Sequence, residues 1–181
     1  MSSEKIDNAL MPAHAALPTE QELIALFGLT PHPEGGFYRE TYRSAGTIPK
    51  IGLPAAYNGP RHYSTAILFL LPAGAVSRLH RLRSDELWHF HLGGPLELTS
   101  IHPDGRIERA ALGPDVLAGQ KLQHAVEAGC WFAASPMTAG AYSLAGATVA
   151  PGFDFLDFEL ADSGRLAERF PHAREIIRKL A

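Results

Sequence analysis

The sequence predicts an all-β domain, a sandwich or barrel of short strands with a short helix near each end. Three observations predict it. Nine strand-like runs follow one another between residues 63 and 160, turn signals built from Gly, Pro and Asp separate them, and helical periodicity is confined to a segment near each terminus.

Met1 to Thr19 lacks both the cationic start and the apolar run of a secretory signal, and its Ala and Pro content reads as a flexible tail. A single domain is expected over 20–181. Glu20 to Phe27 places Leu23, Ile24, Leu26 and Phe27 at helical spacing, with Thr19 as N-cap and Gly28 closing the helix. Pro31 and Pro33 forbid helix, and Gly35-Gly36 opens an extended segment from Phe37 to Tyr42. From Ser44 to Gly59, Gly and Pro punctuate a loop that could cover or flank a site. The strand-like runs are Tyr63 to Leu71, Ser77 to Leu82, Glu86 to Leu92, Leu96 to His102, Ile107 to Leu112, Gln123 to Val126, Trp131 to Ala134, Tyr142 to Ala145 and Phe153 to Leu160. Pro103-Asp104-Gly105 between two of them is a hairpin signal. Gly164 to Leu180 returns to helical periodicity, with a break at Pro171.

Composition narrows the function classes. With 46% hydrophobic and 19% charged residues, the 181-residue chain has an ordinary globular balance. A net charge of −3 gives no basic footprint, which argues against a nucleic-acid partner. The longest apolar run, Thr65 to Val76, is broken by Pro72 and Gly74 and is too short for a bilayer, so no membrane partner is expected. Cys130 is the only cysteine, which fits a reducing compartment; a cytoplasmic protein is expected. No G-x-S-x-G elbow and no phosphate-binding glycine loop occur.

The chemistry concentrates between Gly74 and Gly93. Strand side chains alternate between faces, so His80 and Leu82 share one side. Glu86, with Trp88 and Phe90 after it, can face the same interior, while His89 and His91 point the other way. A carboxylate beside an imidazole, desolvated by Trp88, Phe90 and Phe132, would have a perturbed pKa suited to proton transfer. His80 and Glu86 are therefore the candidate catalytic pair.

The spacing Gly74…His80…Glu86…Gly93 resembles the first motif of the cupin superfamily, small β-barrels of the jelly-roll type. Pro31-His-Pro-Glu-Gly-Gly-Phe-Tyr-Arg-Glu40, Ser84-Asp-Glu-Leu-Trp-His-Phe-His91 and Val149-Ala-Pro-Gly-Phe-Asp-Phe-Leu-Asp-Phe158 resemble a subgroup of small single-domain cupins of unassigned function. The resemblance implies a cupin-type double-stranded β-helix over residues 20–181. Metal-dependent cupins hold an ion with three histidines and a glutamate. By position His80 matches the first histidine and Glu86 the glutamate, but Leu82 replaces the second histidine. In Glu127-Ala-Gly129-Cys-Trp-Phe132, Phe132 replaces the last ligand. A divalent metal at His80 and Glu86 would need further donors or waters, so the implied ligand set is incomplete.

Around this pair, Trp88, Phe90, Trp131 and Phe132 are expected to wall a pocket and stack a planar ligand, with barrel core as the alternative. Tyr38 follows the flexible Gly-Gly pair, and Arg39 or Arg78 could clamp a carboxylate or phosphate. His62 and Tyr63 loosely resemble the acid/base pair of sugar-nucleotide epimerases with this barrel. Cys130 reads as a small buried hydrophobe.

Two functions stay open. One is a sugar or sugar-nucleotide isomerase or epimerase using the His80/Glu86 pair. The other is a non-catalytic module for a planar or carbohydrate-like metabolite. Cupin relatives commonly pair sheet edges, and Phe37 to Arg43 could add to a neighbour's sheet, so a homodimer is expected.

Overall fold

Thr19 starts the first helix as its side chain predicts. Its hydroxyl accepts the Glu22 N–H at 3.3 Å, while the Glu22 carboxylate accepts the Thr19 N–H at 2.7 Å. Gly28, at φ 59°, closes the helix in the left-handed region. The structure, a computed structural model, describes residues 17–181. The predicted tail lies outside these residues except for its last three.

In chain order the elements are α1 (Glu20–Phe27), β1 (Thr30–Pro31), β2 (Phe37–Arg43), β3 (Thr47–Ile48), β4 (Arg61–His62), β5 (Thr65–Leu71), β6 (Ser77–Arg81) and β7 (Asp85–Gly93). They continue with β8 (Leu96–Ile101), β9 (Ile107–Leu112), β10 (Gln123–Val126), β11 (Trp131–Pro136), β12 (Ser143–Ala150), β13 (Glu159–Leu160), α2 (Ser163–Arg169) and α3 (Arg174–Leu180). A six-stranded sheet runs β1-β2-β5-β12-β7-β10, and a five-stranded sheet runs β13-β6-β11-β8-β9. From β5 to β8 each strand lies in the opposite sheet from the one before it. That is the jelly-roll path, realised as two facing sheets rather than one closed ladder.

The main core lies between the sheets, around Phe69, Trp88, Leu98, Leu112 and Phe132. A second core forms on the outer face of the five-stranded sheet. There Leu79, Ile101, Trp131 and Ala133 meet Leu166, Phe170 and Ile177 of α2 and α3. α1 packs Leu23 against Leu70 and Leu144 of the other sheet. No helix among the described residues is long and apolar enough to cross a membrane.

Two segments differ from the reading of the sequence. Phe153 to Leu160 is not one strand, because Asp154 caps a short 3-10 turn at Phe155–Asp157 by accepting the Leu156 N–H at 2.9 Å. The turn packs Phe153, Phe155 and Phe158 edge-to-face, with centroids 5.0–6.2 Å apart, and only Glu159–Leu160 pairs as strand. Conversely β12 runs on to Ala150, well beyond Ala145. It is a central strand between β5 and β7, and its Ala145-Gly146-Ala147 centre carries no periodicity because both faces are crowded. A Cβ at Gly146 would stand 2.5 Å from His91 Nε2.

The loop from Ser44 to Gly59 is fastened down. Tyr57 Oη bonds the Arg83 carbonyl at 2.9 Å and Ser84 Oγ at 2.8 Å. It flanks the 3-10 turn and lines no part of the main cavity.

Candidate functional site

A cavity of about 560 Å³ opens between the sheets. β6 contributes His80 to it, β7 contributes Glu86 and Trp88, and the turn after β12 contributes Phe153, Phe155 and Phe158. The residue alternation thus delivers His80 and Glu86 to one space, each less than a tenth exposed. Trp88 Nε1 donates to Glu86 Oε2 at 3.0 Å.

The structure adds two groups that the reading of the sequence had not placed there, His32 and Glu34. They ride on the loop between β1 and β2, which lies tight against the sheets because of its two glycines. Gly35 sits at φ 114°, where a Cβ would fall on the Val76 carbonyl oxygen, and Gly36 at φ 70°, where one would come 2.7 Å from the Leu70 carbonyl oxygen. The loop carries Glu34 into the interior, where Ser77 Oγ donates to its Oε1 at 2.7 Å and its Oε2 lies 3.2 Å from His80 Nε2.

The hydrogen bonds set the protonation pattern. His80 Nδ1 faces the Arg78 carbonyl at 2.7 Å, an acceptor, so Nδ1 carries the hydrogen. Burial lowers the His80 pKa, although Glu86 and the Arg78 carbonyl oppose it. In the neutral ring Nε2 is a lone pair, and a protonated Glu34 donates to it. Burial pushes the Glu34 carboxyl up to about 8 against the pull of Ser77 and Arg78, so that proton is held at neutral pH. Burial likewise pushes Glu86 up to about 7, and His80 and Trp88 oppose it. His32 accepts the Glu34 N–H at Nδ1 (3.4 Å), and burial, then the nearby His80, lowers it to about 4. Two carboxyl groups poised near neutrality thus flank one imidazole.

This pattern predicts an inverted pH dependence of stability. The two carboxyl groups are raised, so folding favours their protonated forms, and the stability they give is lost as pH rises through 7 and 8. The lowered histidines, His32, His80, His89 and His124, act in the opposite sense, and their effect fades above their ordinary value of 6.5. Between pH 7 and 8 the two carboxyl groups dominate, and unfolding stability is expected to fall by about 1 kcal/mol. Denaturant titrations across that window check it. The Glu34→Gln/Glu86→Gln double variant should be flat there, and an unchanged slope would refute the assignment.

The remaining candidates separate by strand face. Tyr38 lines the cavity edge-on to His32, with centroids 4.6 Å apart. Arg39 lines its mouth, with Nη1 donating to the Phe27 carbonyl at 2.9 Å. Phe132 stands behind His80, ring centroids 4.1 Å apart, and is core rather than lining. Phe90 is also half-buried core outside the cavity. Trp131 is on the opposite face of β11 from Phe132, packed on α2 and α3 with the Arg81 guanidinium 4.5 Å over its ring, so it cannot wall the cavity. Tyr63 is 57% exposed and lies over Gly46, away from the cavity. Its neighbour His62 bonds the Ser44 carbonyl through Nδ1 at 2.6 Å. Arg78 spends its guanidinium on the carbonyls of Pro33 (2.6 Å) and Glu34 (3.4 Å), so it holds the β1–β2 loop rather than a ligand.

The cavity lacks two of the four ligands that the cupin resemblance implies, while His32 and Glu34 stand as further donors beside His80 and Glu86. Leu82 lines the wall and Phe132 covers His80, leaving two cupin ligand positions apolar. Among the described residues, the one group of three His, Cys, Asp or Glu whose ligand atoms lie within 4.8 Å of one another is His102, Glu127 and Cys130, none of which lines the cavity.

Comparison with known proteins agrees with this architecture. The family model described as Cupin superfamily (DUF985) matches residues 21–161. An uncharacterized protein of Saccharomyces cerevisiae is 30% identical over 149 residues, covering 76% of this chain and 72% of its own length. The solved structure of protein SO0799 from Shewanella oneidensis is 38% identical, covers 91% of this chain and 98% of its own, and superposes with a TM-score of 0.81. A hypothetical protein from Leishmania major gives 36% identity, coverage of 91% and 99%, and the same TM-score of 0.81. Oxalate decarboxylase of Bacillus subtilis, at 16% identity and a TM-score of 0.50, shares the fold alone.

Proposed function

This chain belongs to the DUF985 family of the cupin superfamily, and from that premise we propose that its cavity binds a small metabolite and moves a proton on it, as an isomerase or epimerase of sugar-like substrates does. One observation carries the reading: Glu34 and Glu86 are both buried against His80, with carboxyl groups raised to about 8 and 7. Paired carboxyls cost stability and are matched to acid–base work near neutral pH.

In this scheme Glu86, which accepts the Trp88 N–H on one oxygen, takes a proton from the carbon beside a carbonyl. The Glu34 O–H, which rests on His80 Nε2, turns to the carbonyl oxygen and donates to it as charge develops there. In isomerisation Glu86 returns its proton to the former carbonyl carbon while Glu34 takes the proton of the neighbouring hydroxyl. In epimerisation water protonates the other face of the same carbon, Glu34 takes back the enediol proton and Glu86 releases its own to solvent, so atoms balance and both groups are reset. Arg43 is occupied by Glu40, with Nη2 donating at 2.6 Å, whereas Arg39 has no carboxylate partner among the described residues. Arg39 would therefore take an anionic group, such as a phosphate, at the mouth. The volume suits a ligand of that size. The β2 edge beyond Tyr38, which β1 leaves uncovered, supports a homodimer.

A non-catalytic binding module is the second reading, supported by the aromatic wall of Phe153, Phe155 and Phe158. Incubation in D2O with free and phosphorylated aldoses and ketoses and nucleoside-diphosphate sugars separates the two. Mass spectrometry is expected to show deuterium entering one substrate class beside its carbonyl. Saturable binding without exchange would leave the binding module, and no binding at all would remove both.

A further inference from the structure

We propose that His102, Cys130 and Glu127 form a second site, apart from the cavity, for a borderline-soft divalent cation of the zinc type. Cys130 Sγ lies 3.4 Å from His102 Nδ1, and Glu127 Oε2 lies 4.0 Å from the same nitrogen. Two ligands on a tetrahedral zinc, with Zn–S about 2.3 Å and Zn–N about 2.0 Å, stand roughly 3.5 Å apart, so the sulfur–nitrogen edge already has its bound length. Glu127 is 76% exposed in its side chain and free to close the gap of about 0.7 Å to a bound nitrogen–oxygen edge of about 3.3 Å. A water completes the shell.

The surroundings orient the donors. His102 Nε2 lies 3.0 Å from Glu108 Oε2, and that carboxylate can only accept, so Nε2 carries the hydrogen and Nδ1 presents its lone pair toward Cys130. A carboxylate behind a ligating imidazole fixes the tautomer and raises the ligand's basicity. Cys130 is 1% exposed, and among the described residues its thiol has as its one hydrogen-bond partner that lone pair, which it shares with Arg106. Without a metal the position beside Nδ1 is taken by a positive group already, since Arg106 Nη2 donates to Nδ1 at 3.0 Å. Arg106 is half exposed, so a cation displaces it into solvent. Binding forms the metal–sulfur bond as the thiol proton leaves to buffer, and nothing is oxidised or reduced.

Cobalt(II) titration of the full, untagged, chelator-treated chain tests the site. Cys130 is the only cysteine, so a thiolate-to-cobalt charge-transfer band saturating at one equivalent assigns the sulfur without any variant. Zinc should abolish the band by competition. His102→Gln should weaken cobalt binding by at least about tenfold, and Arg106→Ala, which removes the competing donor from an exposed position, should tighten it by about tenfold. Absence of the band in the wild-type chain overturns the proposal. So does an Arg106→Ala variant that binds no more tightly than wild type, a result that stands even if His102→Gln fails to fold.

Discussion

Glu86→Gln is expected to slow deuterium entry into the substrate by about 10²–10⁴-fold, the range that a positioned general base supplies. The amide is isosteric, keeps an oxygen to accept the Trp88 N–H, and carries no basic oxygen at neutral pH. Because Glu86 is held at about 7, wild-type activity should rise with pH through that value. Because the Glu34 proton is lost at about 8, activity should fall again above it. The profile is then a narrow bell whose two limbs belong to the coupled pair. In Glu86→Gln the acidic limb disappears with the rate, whereas Glu34→Gln, whose amide N–H still donates, should keep part of the rate and lose the alkaline limb. Circular dichroism and ligand retention control for folding, and a rate within about threefold of wild type would remove Glu86 from the chemistry.

The strand alternation that delivered His80 and Glu86 to one cavity was legible because a jelly-roll strand has one interior face, and a period of two says which residues share it. The same rule warns against what failed. Trp131 and Phe132 are adjacent, so at most one can face the cavity, and the amphipathic C-terminal helices had to bury their apolar side somewhere; the outer face of β11 is where they do so. Tyr63 was placed by proximity to a loop, which carries no directional information. Glu34 and His32 were invisible for a different reason. They sit on a turn with no periodicity, and Glu34 reaches its partner Ser77 only through tertiary packing. The available signal was the Gly35-Gly36 pair, a backbone that only glycine tolerates directly beside two titratable residues. The 3-10 turn at Phe155 was hidden by residue type: Phe at 153, 155 and 158 suggests strand, while Asp154, able to cap a turn, argued otherwise.

Asp157→Ala is expected to lower the unfolding free energy by about 3–5 kcal/mol, the cost of stranding one member of a buried ion pair. Arg61 meets Asp157 through two parallel bonds, Nε to Oδ2 at 2.5 Å and Nη2 to Oδ1 at 2.7 Å, with both side chains under 5% exposed. Once the carboxylate is gone the guanidinium keeps the Pro60 carbonyl at 2.8 Å, the Tyr57 ring face and the more distant charge of Asp154, none of which replaces a direct ion pair for a charge cut off from water. Arg83, 3.7 Å away on the other side, adds a second cation to the same vacated place. The pair also ties β4 to the turn that presents Phe155 and Phe158, so ligand affinity should fall with stability although neither residue lines the main cavity. The exposed Arg81–Glu159 pair makes a 2.7 Å contact yet should cost under about 1 kcal/mol when Glu159 becomes alanine, because water replaces the partner there. Replacing both buried partners, as Arg61→Met/Asp157→Leu, should recover most of the loss, since the penalty lies in the unpaired charge rather than in the missing bond. Chemical denaturation of the three variants reads all of this, and a loss below 1 kcal/mol for Asp157→Ala would mean that water reaches Arg61 in the folded protein.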